Sequence, residues 1–269
     1  RVAVCPTERT GADLSAALRR SADIYARSAR VIYNPIVMKG ARFTPSTWSG
    51  RDPQYRSRRS PIFSTNGIVA SSQPLASQVG LNVLQSGGSA ADAAVATAAA
   101  LNVTEPGSTG LGGDAFMLYY EAETKTVHGL NGSGRAPGRL DLARIGRAGF
   151  SAERPWDPFH PLTITVPGAC AAWFETLSRF GTLPWRRVFE PAIKLAADGF
   201  PVAPITAHFW NIGAERQLNH SLGGDRLLID GRAPRAGEIF RNPGLAAVLH
   251  TLAGDGPSRF YNGWIAEAI

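Results

Sequence analysis

Three features of the sequence predict a layered α/β or α+β domain that carries a helical lobe. Strand-like segments stand at residues 67–72 and again at 116–130. Two helix-forming segments lie between them, and from residue 169 onward the apolar spacing is helical almost throughout. Strands first and last with helices between suit a layered architecture rather than a β-sandwich. No repeat of 20 to 50 residues is visible, which argues against a solenoid or a propeller.

Residues 67–72 (GIVASS) read as a short buried strand, ended by Gln73 and Pro74. Pro74 suits the first turn of a helix, because its missing N–H would be unpaired there in any case. Leu75, Val79 and Val83 then recur at a spacing of four, which places them on one helical face. Gly87 and Gly88 stop that helix. Ser89 can cap the next, with Asp92 three residues on completing a capping box. Residues 93–101 are small on nearly every side, so this second helix can be approached closely by its neighbours. Pro106, Gly107, Gly110, Gly112 and Gly113 mark a turn-rich crossing. Phe116, Leu118 and Tyr120 alternate with Met117 and Tyr119, which predicts a strand with both faces largely buried. Polar residues 121–126 make a hairpin connection to a partner strand at 127–130. Beyond a loop around residues 154–158, two helices are expected. The first runs over residues 169–180, with Trp173, Leu177 and Phe180 on one face, and the second over 188–197. The pattern from Thr206 on, helical with Gly and Pro interruptions, forms the lobe. Residues 260–269 read as an amphipathic helix cut short, so the chain is expected to be incomplete.

The chain has 269 residues, enough for a sizeable core in one large domain or two small ones. Its formal net charge of +7 is confined to one end. Residues 1–59 hold eleven Arg and one Lys against four acids, whereas residues 60–269 hold 16 basic and 17 acidic groups. A basic, Ser-rich leader with irregular apolar spacing is expected to be a solvated tail, and the near-neutral remainder gives no reason to expect nucleic acid. No run approaches about 18 uninterrupted apolar residues, so no membrane span is expected. No apolar signal core is visible in residues 1–37. Met38 precedes a segment that reads like a start, so residues 1–37 are expected to be dispensable and a cytoplasmic location is favoured. Cys5 and Cys170 make no disulfide framework and no metal spacing. Cys170 is expected to be a small buried residue.

Gly110, Gly112 and Ala115 fit the letters of a dinucleotide fingerprint, but that site needs a strand before it and a helix after it, the reverse of what stands here. The glycines are expected to permit a tight crossing, and Asp114 to bond turn amides. There is no G-x-S-x-G elbow, no H-E-x-x-H and no phosphate-binding loop of the Walker type. His128, His160, His208, His220 and His250 are scattered, and neither metal nor cofactor is expected.

Six separated segments in order carry a family resemblance: 66–75 (NGIVASSQPL), 87–96 (GGSAADAAVA), 104–116 (TEPGSTGLGGDAF), 131–137 (NGSGRAP), 166–168 (VPG) and 190–200 (EPAIKLAADGF). Together they resemble the gamma-glutamyltranspeptidase family, in a divergent, signal-less form of its N-terminal, large-subunit portion. The resemblance implies an α+β fold, an αββα sandwich of the N-terminal-nucleophile hydrolase type, of which residues 60–269 hold only part. It implies a proenzyme that cleaves itself into a large and a small subunit. The freed threonine of the small subunit would attack gamma-glutamyl amides such as glutathione through an acyl-enzyme, helped by its own α-amine. No residue of this chain fits that threonine's context; Thr163, Thr165 and Thr206 are expected to pack or cap. The chain alone is therefore expected to be inactive, its partners being the small subunit and an amide substrate.

One substrate contact of the large subunit is open to inspection. Many family members carry an Arg four residues before the proline of the Ala-Pro pair, which grips the α-carboxylate of the gamma-glutamyl group. Here that position is Ser133, and Arg135 directly precedes Ala136 and Pro137. A serine offers one neutral hydrogen bond in place of a charge-assisted pair, a difference of about 1 to 3 kcal/mol. Either Arg135 reaches the same group by another path, or it pairs with a nearby carboxylate to hold its loop, or the acyl group is a different one. The rival readings are a cephalosporin-acylase-like or oxamate-amidase-like amidohydrolase, and a non-catalytic remnant that acts as a binding module. A threonine in a self-cleavage context beyond residue 269 would separate the last from the rest.

Overall fold

The computed structural model describes residues 62–155 and 160–269. The basic leader and its boundary at residue 59 lie outside the described residues. Helix α1 (Pro74–Gln85) begins with Pro74 in the first turn and ends at Ser86, followed by Gly87 at φ +86°. Ala76, Val79, Gly80 and Val83 form its buried face. A Cβ on Gly80 would run into the Thr97 hydroxyl, so only glycine lets α1 lie this close to the next helix.

Helix α2 (Ala90–Thr104) opens with the expected capping box between Ser89 and Asp92. It starts three residues earlier and ends three later than the alanine run, since Asn102 and Thr104 bond carbonyls one turn back at Ala98 and Ala100. Asp92 does more than cap. It is fully buried, and its Oδ2 accepts from Ser89 N (2.8 Å), Thr182 N (2.9 Å), Leu183 N (3.2 Å) and the hydroxyls of Ser89 and Thr182. One carboxylate oxygen thereby ties the start of α2 to the loop after helix α4 (Ala169–Phe180).

The hairpin pairs β1 (Ala115–Glu121) with β2 (Thr126–Gly132) in antiparallel register, Ala115 opposite Gly132 and Glu121 opposite Thr126. Two expectations fail in this region. Residues 67–72 form no strand: they are mostly exposed and have no ladder partner among the described residues, and strand character requires a neighbour to bond. β1 is covered on one face only. Met117 and Tyr119 turn toward α4, where Tyr119 stacks on Phe180 at 4.1 Å, while Phe116, Leu118 and Tyr120 are 70%, 83% and 60% exposed. No described element lies over them.

A short helix α3 (Leu142–Arg147), capped by Asp141, and a 3-10 turn (Pro161–Thr163) lead to α4. α4 and α5 (Trp185–Asp198) enclose an aromatic cluster of Trp173, Phe174 and Phe189, with Phe174 and Phe189 at 5.5 Å. Burying each such ring stabilises by about 1.5 to 3 kcal/mol. The lobe follows: β3 (Phe200–Pro201) paired with β4 (Ile239–Phe240), then α6 (Pro204–Arg216), α7 (Pro243–Asp255), α8 (Ser258–Asn262) and α9 (Trp264–Ala268). α7 packs on α5 through Leu249 and Leu252, both fully buried. The single helix expected over residues 260–269 is two short ones, broken at Gly263, where a side chain would meet the Arg259 carbonyl.

Candidate functional site

The open end of the hairpin gathers three segments that are far apart in sequence. The glycine crossing before β1 brings the Gly113 carbonyl to the first turn of α4, where it accepts from Gly168 N (3.0 Å) and Ala169 N (2.9 Å). The Tyr261 hydroxyl accepts from Ala171 N at 3.1 Å and donates to the Pro167 carbonyl at 2.9 Å. The loop after β2 is pinned from the same side, with Val166 N donating to the Arg135 carbonyl at 2.9 Å. No Cβ fits at Gly132, Gly134 or Gly168, which would strike the Ala172 side chain, the Val166 carbonyl and the Gly132 carbonyl respectively.

Asp114, Ser133 and Arg135 stand exposed on this frame. Asp114 Oδ1 accepts from Gly134 N at 2.6 Å and its Oδ2 lies 3.4 Å from the Ser133 hydroxyl. Asp114 thus bonds a turn amide, as the sequence leads one to expect, although the amide belongs to another segment. Ser133 N donates to Asn131 Oδ1 at 2.9 Å. Among the described residues the Arg135 guanidinium makes no ion pair, so the expectation of a structural clamp finds no carboxylate here. The two predicted site residues therefore share one loop, Ser133 turned into it and Arg135 free of it.

Behind the crossing, α2, β1 and α4 border a cavity of about 320 Å³ lined by Leu101, Asn102, Met117, Trp173 and Thr176 among others. Asn102 Oδ1 is buried there without a partner. Thr206 accepts from Gln73 Nε2, and Thr163 donates to the His160 carbonyl at 2.7 Å, packing and capping roles of the kind expected. Among the described residues no three His, Cys, Asp or Glu side chains converge on a point that could hold a metal ion. No described helix is long and apolar enough to cross a membrane.

Solved structures share the fold of this chain. Cephalosporin acylase from Bacillus halodurans superposes with a TM-score of 0.73 at 40% identity, over 82% of this chain and 42% of the acylase chain. The fold is accordingly part of an α+β sandwich of the N-terminal-nucleophile hydrolase type. The family model described as gamma-glutamyltranspeptidase matches residues 76–269, and the chain belongs to that family. It is 39% identical to the glutathione hydrolase-like YwrD proenzyme of Bacillus subtilis and 38% identical to the oxamate amidohydrolase proenzyme of Klebsiella pneumoniae. Each match covers 77% of this chain and 39% of the relative, so the chain spans about two fifths of their length.

Proposed function

We propose that this chain is the large-subunit portion of an amidohydrolase that cleaves gamma-glutamyl amides through an acyl-enzyme, with the nucleophile supplied by a small subunit from the same precursor. The observation that carries the reading is the Arg135 loop. Its backbone is fixed by Val166 and by Asp114, while its guanidinium has no ion-pair partner among the described residues. A fixed, unspent cation is what binding of a substrate carboxylate needs, since little reorganisation is then required on binding. The small subunit would cover the exposed apolar face of the hairpin at Phe116, Leu118, Tyr120 and Val127, which is 59% exposed. In the acyl-transfer step the threonine hydroxyl adds to the amide carbonyl and the amine leaves with a proton. Water then releases the acid from the ester.

A second reading, in which the acyl group is of the oxamate or cephalosporin side-chain type, is favoured by Ser133. Its hydroxyl is turned to Asp114 and the family's arginine is missing from its position. The test is kinetic, on the full-length protein with gamma-glutamyl-p-nitroanilide. Arg135→Ala is expected to raise KM about ten- to a hundredfold while self-cleavage survives, the loss of a charge-assisted pair being worth about 1.5 to 3 kcal/mol. An unchanged KM in the matured variant would remove this loop from substrate recognition.

A further inference from the structure

We propose that Tyr261, which stands in α8 of the lobe, is a positioning residue that sets where the Arg135 loop lies. Its bearing on substrate binding rests on the reading of Arg135 as the residue that meets the substrate carboxylate. The leading N–H groups of α4 have no partner within the helix, and Gly168 at the N-cap has no side chain to serve them. Gly168 N and Ala169 N donate instead to the Gly113 carbonyl, at 3.0 and 2.9 Å, and Ala171 N donates to the Tyr261 hydroxyl at 3.1 Å. A side chain 90 positions away thus helps to cap α4.

The same hydroxyl donates to the Pro167 carbonyl at 2.9 Å, so one group holds both the start of α4 and the turn before it. That turn is in direct contact with the loop. Val166 N donates to the Arg135 carbonyl at 2.9 Å. A Cβ on Gly134 would strike the Val166 carbonyl, and one on Gly168 the Gly132 carbonyl, so the two backbones lie against each other with no slack between them. Close-packed main chain passes a displacement on. Tyr261 is itself anchored, its ring 5.0 Å from that of the buried Phe260 and nearly edge-on to it. Without the hydroxyl, the Pro167 carbonyl and Ala171 N must find new partners, and a shift of residues 166–168 carries the Arg135 backbone with it. Such a shift acts on how the substrate is held more than on a nucleophile supplied by another subunit.

Tyr261→Phe removes the hydroxyl and keeps the ring. In the full-length protein, hydrogen exchange read by mass spectrometry is expected to quicken about threefold or more in the peptide over residues 131–137, beyond the Tyr261 contacts at Pro167 and Ala171, as well as over 164–172. With gamma-glutamyl-p-nitroanilide, KM is expected to rise about three- to tenfold while kcat stays within about twofold of wild type. In an Arg135→Ala background the same change should add little, because both act through one contact. A role as a helix cap alone would lower Tm and quicken residues 164–172 while leaving residues 131–137 and KM as in wild type, and that result overturns the proposal. So does an unchanged KM in Tyr261→Phe where Arg135→Ala raises it. An unchanged KM in Arg135→Ala refutes the reading of Arg135 instead, and exchange over residues 131–137 still decides whether Tyr261 sets the loop. Exchange is read on the folded protein whether or not it has cleaved itself.

Discussion

Replacing Asp92 by alanine should be among the most damaging single changes in the described residues. Its side chain is 0% exposed, and one oxygen receives three backbone N–H groups and two hydroxyls from two segments some 90 positions apart. In Asp92→Ala the Thr182 and Leu183 amides lose that acceptor, while Ser89 N retains the Thr182 hydroxyl at 3.2 Å. Two to three charge-assisted bonds of about 1.5 to 3 kcal/mol each, partly recovered at Ser89, give an expected loss of about 3 to 5 kcal/mol. For a unit of this size each kcal/mol moves Tm by about 2–4 °C, so scanning calorimetry of the full-length protein should show a fall of roughly 6–20 °C. Thr182→Ala, which keeps all three backbone donors on Asp92, should cost only about 1 kcal/mol. A melting temperature for Asp92→Ala within about 2 °C of wild type, against the per-kcal scale above, would refute the clamp.

Two further outcomes follow from the lobe and the core. Glu238 is held by a two-pronged pair with Arg232, both contacts 2.8 Å, and by Arg235 N at 2.7 Å. The Arg232 hydrogen bonds, with the Arg235 amide behind them, bring its carboxyl from 4.5 down to about 2. A depressed carboxyl contributes stability that is full above its unfolded pKa and is lost as pH falls toward the folded value. Glu238→Gln should therefore flatten the Tm profile between pH 4.5 and about 2, and superimposable profiles would count against the pair. Cys170 is fully buried and its thiol is pushed up to about 12 by desolvation, so iodoacetamide at pH 8 should label it only as the protein unfolds. Full labelling of the native protein within minutes would contradict that burial.

What could be read from the chain was local. α1 and α2 were legible because proline at a first turn, a four-residue apolar spacing and a capping box are written within a dozen residues of one another. The hairpin was legible because its turn residues and alternation are contiguous. Residues 67–72 were misread because strand character depends on a neighbour, and none of the described residues pairs with them. β1 was misread for a related reason: its alternation is apolar on both faces, yet only Met117 and Tyr119 find α4. At the site, Ser133 and Arg135 stood out through the family pattern. The roles of Val166 and Tyr261 left no local mark, because each partner comes from a distant segment.

At the junction of hairpin, crossing and α4 three positions admit no side chain, Gly132, Gly134 and Gly168, and they have a bearing on how such a protein can diverge. Each presses main chain against main chain or against a packed methyl, so any replacement there shifts the whole junction of hairpin, crossing and α4. If the loop meets the substrate as proposed, new preferences cannot be reached by remodelling that path in small steps. They can be reached by exchanging Asp114, Ser133 and Arg135, which stand exposed beside it. The junction then behaves as a socket of fixed shape with three replaceable pins, and an arginine moved by two positions is a change of pin.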